Sequence, residues 1–74
     1  MDFIIERGAN LLFAVECKFK RQPASSDLSG LKAFHDTHPE VPCFVVAPVN
    51  KSYKLSFARI LPPHKLLKEL LVSR

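Results

Sequence analysis

Two acidic residues and a lysine are spaced along the first 18 residues in a pattern that could bind a metal ion beside a phosphate. Asp2 begins the segment DFIIE, and Glu16 lies two residues before Lys18 in the segment LLFAVECKF. Both segments have the composition of β-strands, in which side chains alternate between faces, so Glu16 and Lys18 should share a face. Two carboxylates beside an ammonium group suit a hard divalent cation such as Mg²⁺, which prefers oxygen ligands.

The hairpin between these two strands decides whether the carboxylates meet. The segment RGAN favours a hairpin because its glycine and asparagine tolerate the positive φ angles of tight loops. A three-residue loop over residues 8–10 would pair Arg7 with Leu11, and each further pair would have numbers that sum to 18. Asp2 would then lie opposite Glu16, with the Cβ atoms about 5 Å apart. A loop one residue longer or shorter would place the carboxylates on opposite faces.

This constellation predicts phosphodiester hydrolysis. The cation would polarise a phosphate and lower the pKa of a bound water, while Lys18 would position that water or offset charge on phosphorus. Lys20, Arg21 and Lys32 are candidates to hold a nucleic-acid backbone, which the net charge of +4 permits without requiring. The alternative is that Glu16 and Lys18 form a surface ion pair worth little, and that Lys20 and Arg21 are simply solvated.

The rest of the chain supplies elements that would position these residues. Pro23 ends the second strand, and Ser25 or Ser26 is the expected N-cap of a helix that runs to about His38, with Asp27 favouring its start. The apolar run VPCFVVAPV, residues 41–49, is typical of a strand covered on both faces. Strand, helix and strand in this order predict a parallel crossover.

Two further elements follow. Residues 53–57 alternate between apolar and polar side chains as an edge strand does. A short helix then places four leucines on one face, namely Leu66, Leu67, Leu70 and Leu71. The predicted fold class is α/β, a mixed sheet of about four strands and two helices in the order β-β-α-β-β-α.

Composition indicates one ordinary globular domain. The chain has 74 residues, of which 47% are hydrophobic and 24% charged, and it contains no membrane-length apolar run. Cys17 and Cys43 both fall in predicted strands, so we expect two buried, unreactive thiols in a reducing compartment. The amino-terminal segment MDFIIERG lacks the basic region and apolar core of a signal peptide, so we expect a cytoplasmic protein with no membrane contact.

The motifs together resemble the PD-(D/E)XK nuclease-like superfamily. Asp2 and Glu16-Cys17-Lys18 match its motif of an aspartate, a hairpin and Glu-x-Lys near the end of the next strand. The segments DFIIERGANLLFAVECK, SSDLSGLKAF, FVVAP and ILPPHKLLKELL resemble more closely a C-terminal domain of unknown function. That domain follows the ATPase module in a family of prokaryotic AAA-type ATPases. The resemblance implies a restriction-endonuclease-like fold, with Asp2 and Glu16 as Mg²⁺ ligands and Lys18 assisting the chemistry.

The chain also departs from the superfamily pattern. Only Met1 precedes Asp2, so residues 1–74 are expected to form a partial nuclease-like domain that lacks the first core helix and its acidic residue. The proline before the motif aspartate and the GxxxxGK[ST] loop of ATPases are missing too. A sheet without that helix would expose an apolar face, which a homodimer could cover. The alternative function is therefore a non-catalytic interaction or dimerisation module derived from the accessory domain of an ATPase.

Overall fold

The computed structural model describes residues 3–7 and 10–72, which form one mixed β-sheet with a helix on each face. The strands are β1 (Phe3–Arg7), β2 (Asn10–Cys17), β3 (Cys43–Val46), β4 (Tyr53–Lys54) and β5 (Arg59–Leu61), and the helices are α1 (Ser29–Thr37) and α2 (Pro63–Val72). The strands lie in the order β1-β2-β3-β5-β4. β2, β3 and β5 are parallel, whereas β1 and β4 run antiparallel to their neighbours. The predicted α/β class with a mixed sheet and two helices is confirmed.

The loop between β1 and β2 is shorter than predicted. Arg7 pairs with Asn10 rather than with Leu11, so two residues, not three, separate the paired positions. A two-residue connection is the commonest in hairpins, because its turn types match the right-handed twist of the strands. The prediction of a three-residue loop was wrong.

A β-bulge restores the predicted register farther from the loop. The pairing shifts by one residue between Ile5 and Glu6, as happens where one strand accommodates an extra residue. Beyond the bulge the partner numbers sum to 18: Ile5 with Phe13, Ile4 with Ala14 and Phe3 with Val15. Asp2, which the sequence places opposite Glu16, lies outside the described residues.

The crossover from β2 through α1 to β3 is parallel, as predicted, and Ala14 pairs with Cys43 at its start. The helix begins later than the sequence suggested, because residues 25–27 form a 3₁₀ turn and α1 starts at Ser29. The Asp27 carboxylate accepts a hydrogen bond of 2.8 Å from the Ala24 N–H at the beginning of that turn. Asp27 therefore satisfies a backbone donor of the turn, and the predicted serine N-cap of the helix was wrong.

The segment after β3 differs most from the prediction. The expected edge strand over residues 53–57 ends at Lys54, because the Leu55 N–H donates to the Ala58 carbonyl at 2.8 Å and the chain turns back. Residues 59–61 then form β5, which the sequence did not predict. β5 pairs in parallel with β3 and antiparallel with β4, so the described residues form a five-stranded sheet.

The core divides into two clusters because side chains alternate along each strand. On the α1 side, Leu28 and Leu31 pack with buried residues of the sheet, which include Ala14, Cys43, Val45 and Ile60. On the α2 side, Leu66 packs against a cluster of Phe13, Val15, Phe44 and Leu61. These four residues are buried, so the apolar patch expected from a missing first helix is not found at them.

The leucines of α2 do not all face the sheet. Leu66 is partly buried, but Leu67 is 63% exposed, because successive residues of a helix are rotated by about 100°. The predicted common face was wrong for Leu67, and the side chains of Leu70 and Leu71 lie outside the described part of the chain. Neither α1 nor α2 has the length and apolarity of a membrane-crossing helix, and the described residues contain no other α-helix.

Replacement of Leu31 by alanine tests the packing of α1 on the sheet. Leu31 is fully buried, so Leu31→Ala should lower the free energy of unfolding by about 2–5 kcal/mol, the cost of lost burial plus a cavity. Leu67→Ala is the matched control and should change it by no more than about 0.5 kcal/mol. Urea titration followed by far-UV circular dichroism measures both, and equal midpoints for the two variants would contradict this packing.

Candidate functional site

Glu16 and Lys18 lie at the carboxyl end of β2, where the sheet holds their backbone. Glu16 pairs with Val45 of β3 in the parallel ladder. The Lys18 N–H, just past the end of β2, donates to the Val46 carbonyl at 2.9 Å. Carboxyl ends of parallel strands meet at one edge of the sheet, which is where α/β proteins commonly place their ligands.

Glu16 is a buried acid paired with a half-exposed base. It is only 4% exposed, on the α1 side that it shares with Ala14, and its Oε2 lies 3.1 Å from the Lys18 Nζ. The Lys18 side chain keeps 37% of its surface in solvent. A buried carboxylate is costly unless charge or hydrogen bonds compensate it, and Lys18 supplies part of that compensation. Glu16 and Lys18 therefore do not form the fully solvated surface ion pair that was the alternative interpretation of the sequence.

The predicted Mg²⁺ site is represented among the described residues by the carboxylate of Glu16. Mg²⁺ is commonly bound by one or two carboxylates together with waters and substrate phosphates. Within residues 3–7 and 10–72, no group of three or more His, Cys, Asp and Glu residues could hold a metal ion. Of the two ligands predicted from the sequence, Glu16 lies among the described residues and Asp2 lies outside them.

Two of the three predicted nucleic-acid contacts are already paired with acids. The Lys20 Nζ lies 3.1 Å from both carboxylate oxygens of Asp27. The Lys32 Nζ lies 3.3 Å from Asp36 Oδ1, one turn along α1. A phosphate would have to compete with these carboxylates, so Lys20 and Lys32 are weaker candidates than the sequence suggested. Arg21 makes no ion pair with any described residue.

Arg21 instead lines a groove at the same edge of the sheet. The groove has a volume of about 790 Å³ and lies between Arg21–Gln22 and residues 48–53. Its charged lining residues are Arg21 and Lys51, with no carboxylate among the lining residues that the structure describes. The Tyr53 hydroxyl donates to the Pro23 carbonyl at 2.8 Å and thereby links the two walls. We refer to this feature as the basic groove.

Lys51 is a lining residue of the basic groove that sequence reasoning did not single out. It lies in the turn after the apolar run of residues 41–49, to which the sequence analysis assigned no function. The signal was available, because a turn that follows a parallel strand must emerge at the same edge as the other parallel strands. Beside Lys51, the Ser52 Oγ is buried and has no hydrogen-bond partner among the described residues.

The Asp27 carboxyl is the acid near this edge whose titration is perturbed. The Ala24 N–H donates to it, and this hydrogen bond is the main cause that holds the pKa of Asp27 below its ordinary value of 3.8. The ammonium group of Lys20 lowers this pKa further. Asp27 therefore stays ionised and keeps Lys20 beside the start of α1.

His35 of α1 and His38, which follows the helix, pack against aromatic rings. The His38 ring stacks on Phe34 with centroids 4.5 Å apart, and its Nδ1 lies 2.9 Å from the Thr37 hydroxyl. The His35 ring lies 6.2 Å from that of Phe57. These contacts hold both rings by packing, although the buried Nδ1 of His35 has no hydrogen-bond partner among the described residues.

The two cysteines differ in exposure, against expectation. Cys43 is buried, its thiol points to the Val41 carbonyl at 3.6 Å, and burial raises its pKa, as an inert core thiol requires. Cys17 is exposed. The expectation that Cys17 would face the core was wrong, because β2 ends at this residue and the packed clusters do not extend past it.

Comparison with known proteins identifies a family but not a characterised relative. A family model described as "Domain of unknown function (DUF4143)" matches residues 1–66 of the chain. No curated protein and no solved structure matches the chain.

The exposure of the cysteines predicts two kinetic classes of thiol. In the native protein Cys17 should react readily with a chromogenic aromatic disulfide, a reagent that detects accessible thiols. Cys43 should react with it only after the chain unfolds. The number of thiols that react is measured by absorbance in the native and in the urea-unfolded chain. Cys17→Ser is the matched control. A native Cys17→Ser variant that still reacts at the wild-type rate would contradict the burial of Cys43.

The pKa of Asp27 predicts a pH-dependent contribution to stability. Because this pKa is lowered in the folded chain, Asp27 stabilises the fold above pH 3.8 and loses that effect as the pH falls through the folded-state value. Asp27→Asn should therefore lower the urea midpoint at pH 7, and the difference from wild type should shrink below pH 3.8. Asp36→Asn, which alters an exposed pair on α1, should show a smaller difference at pH 7. A constant Asp27→Asn difference from neutral pH into strong acid would exclude this linkage.

Proposed function

Because the chain belongs to the DUF4143 family, whose function is unknown, we propose a function from its own residues. The chain acts as a PD-(D/E)XK nuclease-like domain that binds nucleic acid and hydrolyses phosphodiester bonds with a divalent cation. The observation that carries the proposal is the pair of Glu16 and Lys18. A buried carboxylate lies 3.1 Å from an accessible ammonium group at the carboxyl edge of the parallel strands.

The topology supports the same proposal. A hairpin of β1 and β2 precedes the crossover helix α1, which leads to the parallel strand β3. This order agrees with a restriction-endonuclease-like core in which the acidic strand lies beside β3. We further propose that the domain works as the accessory domain of an AAA-type ATPase, because the segments SSDLSGLKAF and ILPPHKLLKELL resemble a domain that follows such ATPase modules.

The residues would divide the work as follows. Glu16, with Asp2 as predicted from the sequence, would hold Mg²⁺, which supplies phosphate polarisation and an activated water when bound. Lys18 would leave the Glu16 carboxylate for the phosphate, since more than a third of its side chain is already in solvent. Arg21 and Lys51 would hold the nucleic-acid backbone beside the site, because both line the basic groove.

A second candidate function is an interaction or dimerisation module. It is favoured by two large apolar side chains at the surface, Phe19 at 100% exposure and Leu67 at 63%. In this interpretation Glu16 and Lys18 are an inherited pair without catalytic use. The two candidates differ in whether Glu16 binds metal.

A metal titration of Glu16 variants tests the proposed function. Mn²⁺ or Mg²⁺ should cause saturable changes in the NMR amide signals of Glu16, Cys17 and the paired Val45 of the native chain. Glu16→Gln removes the carboxylate charge and keeps the side-chain shape, so these changes should vanish at millimolar metal. Asp36→Asn removes one charge from an exposed site and should leave them intact.

A lysine variant sharpens the same experiment. Lys18→Met removes the ammonium group that competes with the cation for Glu16, so metal should bind more tightly while hydrolysis of a phosphodiester falls. Identical titrations for the native chain, Glu16→Gln and Asp36→Asn would exclude a metal site at Glu16 and favour the interaction module.

A further inference from the structure

Phe19 presents an aromatic ring to solvent in a strongly basic part of the chain. It is 100% exposed, although strand alternation from the buried Phe13 and Val15 would place it on the core face. The strand ends at Cys17, so Phe19 lies beyond the cover of the sheet. Together with its sequence neighbours Lys18, Lys20 and Arg21, it forms the segment KFKR.

The segment that carries Phe19 is anchored at both ends. At one end the Lys18 N–H is bonded to the Val46 carbonyl at 2.9 Å. At the other end Pro23 is buried, and its carbonyl accepts the Tyr53 hydroxyl at 2.8 Å. Residues 19–22 between these anchors are all exposed. The fold therefore displays Phe19 on a short anchored segment, two residues before the first lining residue of the basic groove, instead of on a long loop.

The basic groove begins two residues after Phe19. The Cα atoms of Phe19 and Arg21 can be no more than about 7 Å apart, so one nucleotide can touch both. Neither Arg21 nor Lys51 is paired with an acid among the described residues. Gln22 and Asn50 add amide donors to the lining, and the Ser52 hydroxyl beside them is buried without a partner there.

We propose that Phe19 and the basic groove bind single-stranded nucleic acid. A base stacks on the Phe19 ring, and the adjoining phosphate enters the groove between Arg21 and Lys51. An aromatic platform beside unpaired cations is how sequence-tolerant single-strand binding works. This inference rests on the proposed function, because it names the form of nucleic acid that the site at Glu16 would receive.

The ring is what selects a single strand over a duplex. Inside a duplex both faces of each base are covered by neighbouring bases, so Phe19 can stack only on an unpaired base or a strand end. If the positive charge of the groove acted alone, a duplex would bind more tightly than a single strand, because its phosphates are more densely spaced. Charge complementarity with Arg21 and Lys51 argues for a polyanion at this surface instead of an apolar partner.

Fluorescence anisotropy in EDTA tests this inference without any contribution from metal. The probes are a labelled single strand of about 12 nucleotides and the same sequence as a duplex. The native chain should bind the single strand more tightly than the duplex. Phe19→Ala should weaken single-strand binding roughly 5- to 150-fold, the usual loss of one stacked base.

Two other substitutions at the same position separate stacking from general apolarity. Phe19→Trp should restore binding because it offers a larger ring, whereas Phe19→Leu should behave like Phe19→Ala because it has no π face. Lys51→Gln should reduce the slope of log affinity against log salt by about 0.7 for each phosphate that the variant no longer neutralises. Leu67→Ala, an exposed apolar residue on α2, is the matched control and should bind as the native chain does.

Several results would overturn the inference. They are equal or tighter binding of the duplex, full affinity in Phe19→Leu, and no binding of either nucleic acid. Two further measurements complete the test: sedimentation with anionic vesicles, and analytical ultracentrifugation for self-association. If either is positive and depends on Phe19, while nucleic acid does not bind, the surface belongs to another partner. The titration of Glu16→Gln is run without nucleic acid, so failure of the metal site and failure of single-strand binding are separate observations.

Discussion

The parallel pairing of β2 with β3 is the constraint on which the rest of the structure depends. It brings residues about 29 positions apart into register, as in the pair of Glu16 and Val45, and it requires α1 to cross one face of the sheet. The same pairing buries Glu16 and directs the segment after β2 and the turn after β3 to one edge. Both the candidate metal ligand and the basic groove are consequences of this single alignment.

The placement of charge follows from that alignment. Lys18, Lys20, Lys32 and Arg59 each face a carboxylate, and these pairs hold a strand end, a turn or a helix in place. The Arg59 guanidinium shows the structural use most clearly, since it lies 2.9 Å from Glu69 of α2 and 6.0 Å from the Phe44 ring centre. Cations at the edge without such a partner are the ones free to meet a phosphate. The total charge of the chain could not make this distinction.

Sequence reasoning succeeded where local pattern and tertiary environment agree. The apolar run around β3 reflects burial on both faces, so the parallel crossover could be predicted. Alternation along β2 placed Glu16 and Lys18 on one face, and their side chains do meet. β5 could not, because three residues that include Arg59 carry no periodic signal and become a strand only when β3 and β4 flank them. Phe19 and Lys51 were missed for a related reason: alternation does not show where a strand ends, and only the fold shows which turns share an edge.

The hydrogen bond from the Tyr53 hydroxyl to the Pro23 carbonyl also gives the protein an optical property. Tyr53 is the single tyrosine of the chain, and the chain has no tryptophan. Apart from the weak emission of phenylalanine, all intrinsic fluorescence of the protein therefore comes from the phenol of Tyr53. That phenol lines the basic groove and links its two walls. Its emission therefore reports the state of the groove directly, and the chain carries a built-in spectroscopic probe at the place where a ligand would enter.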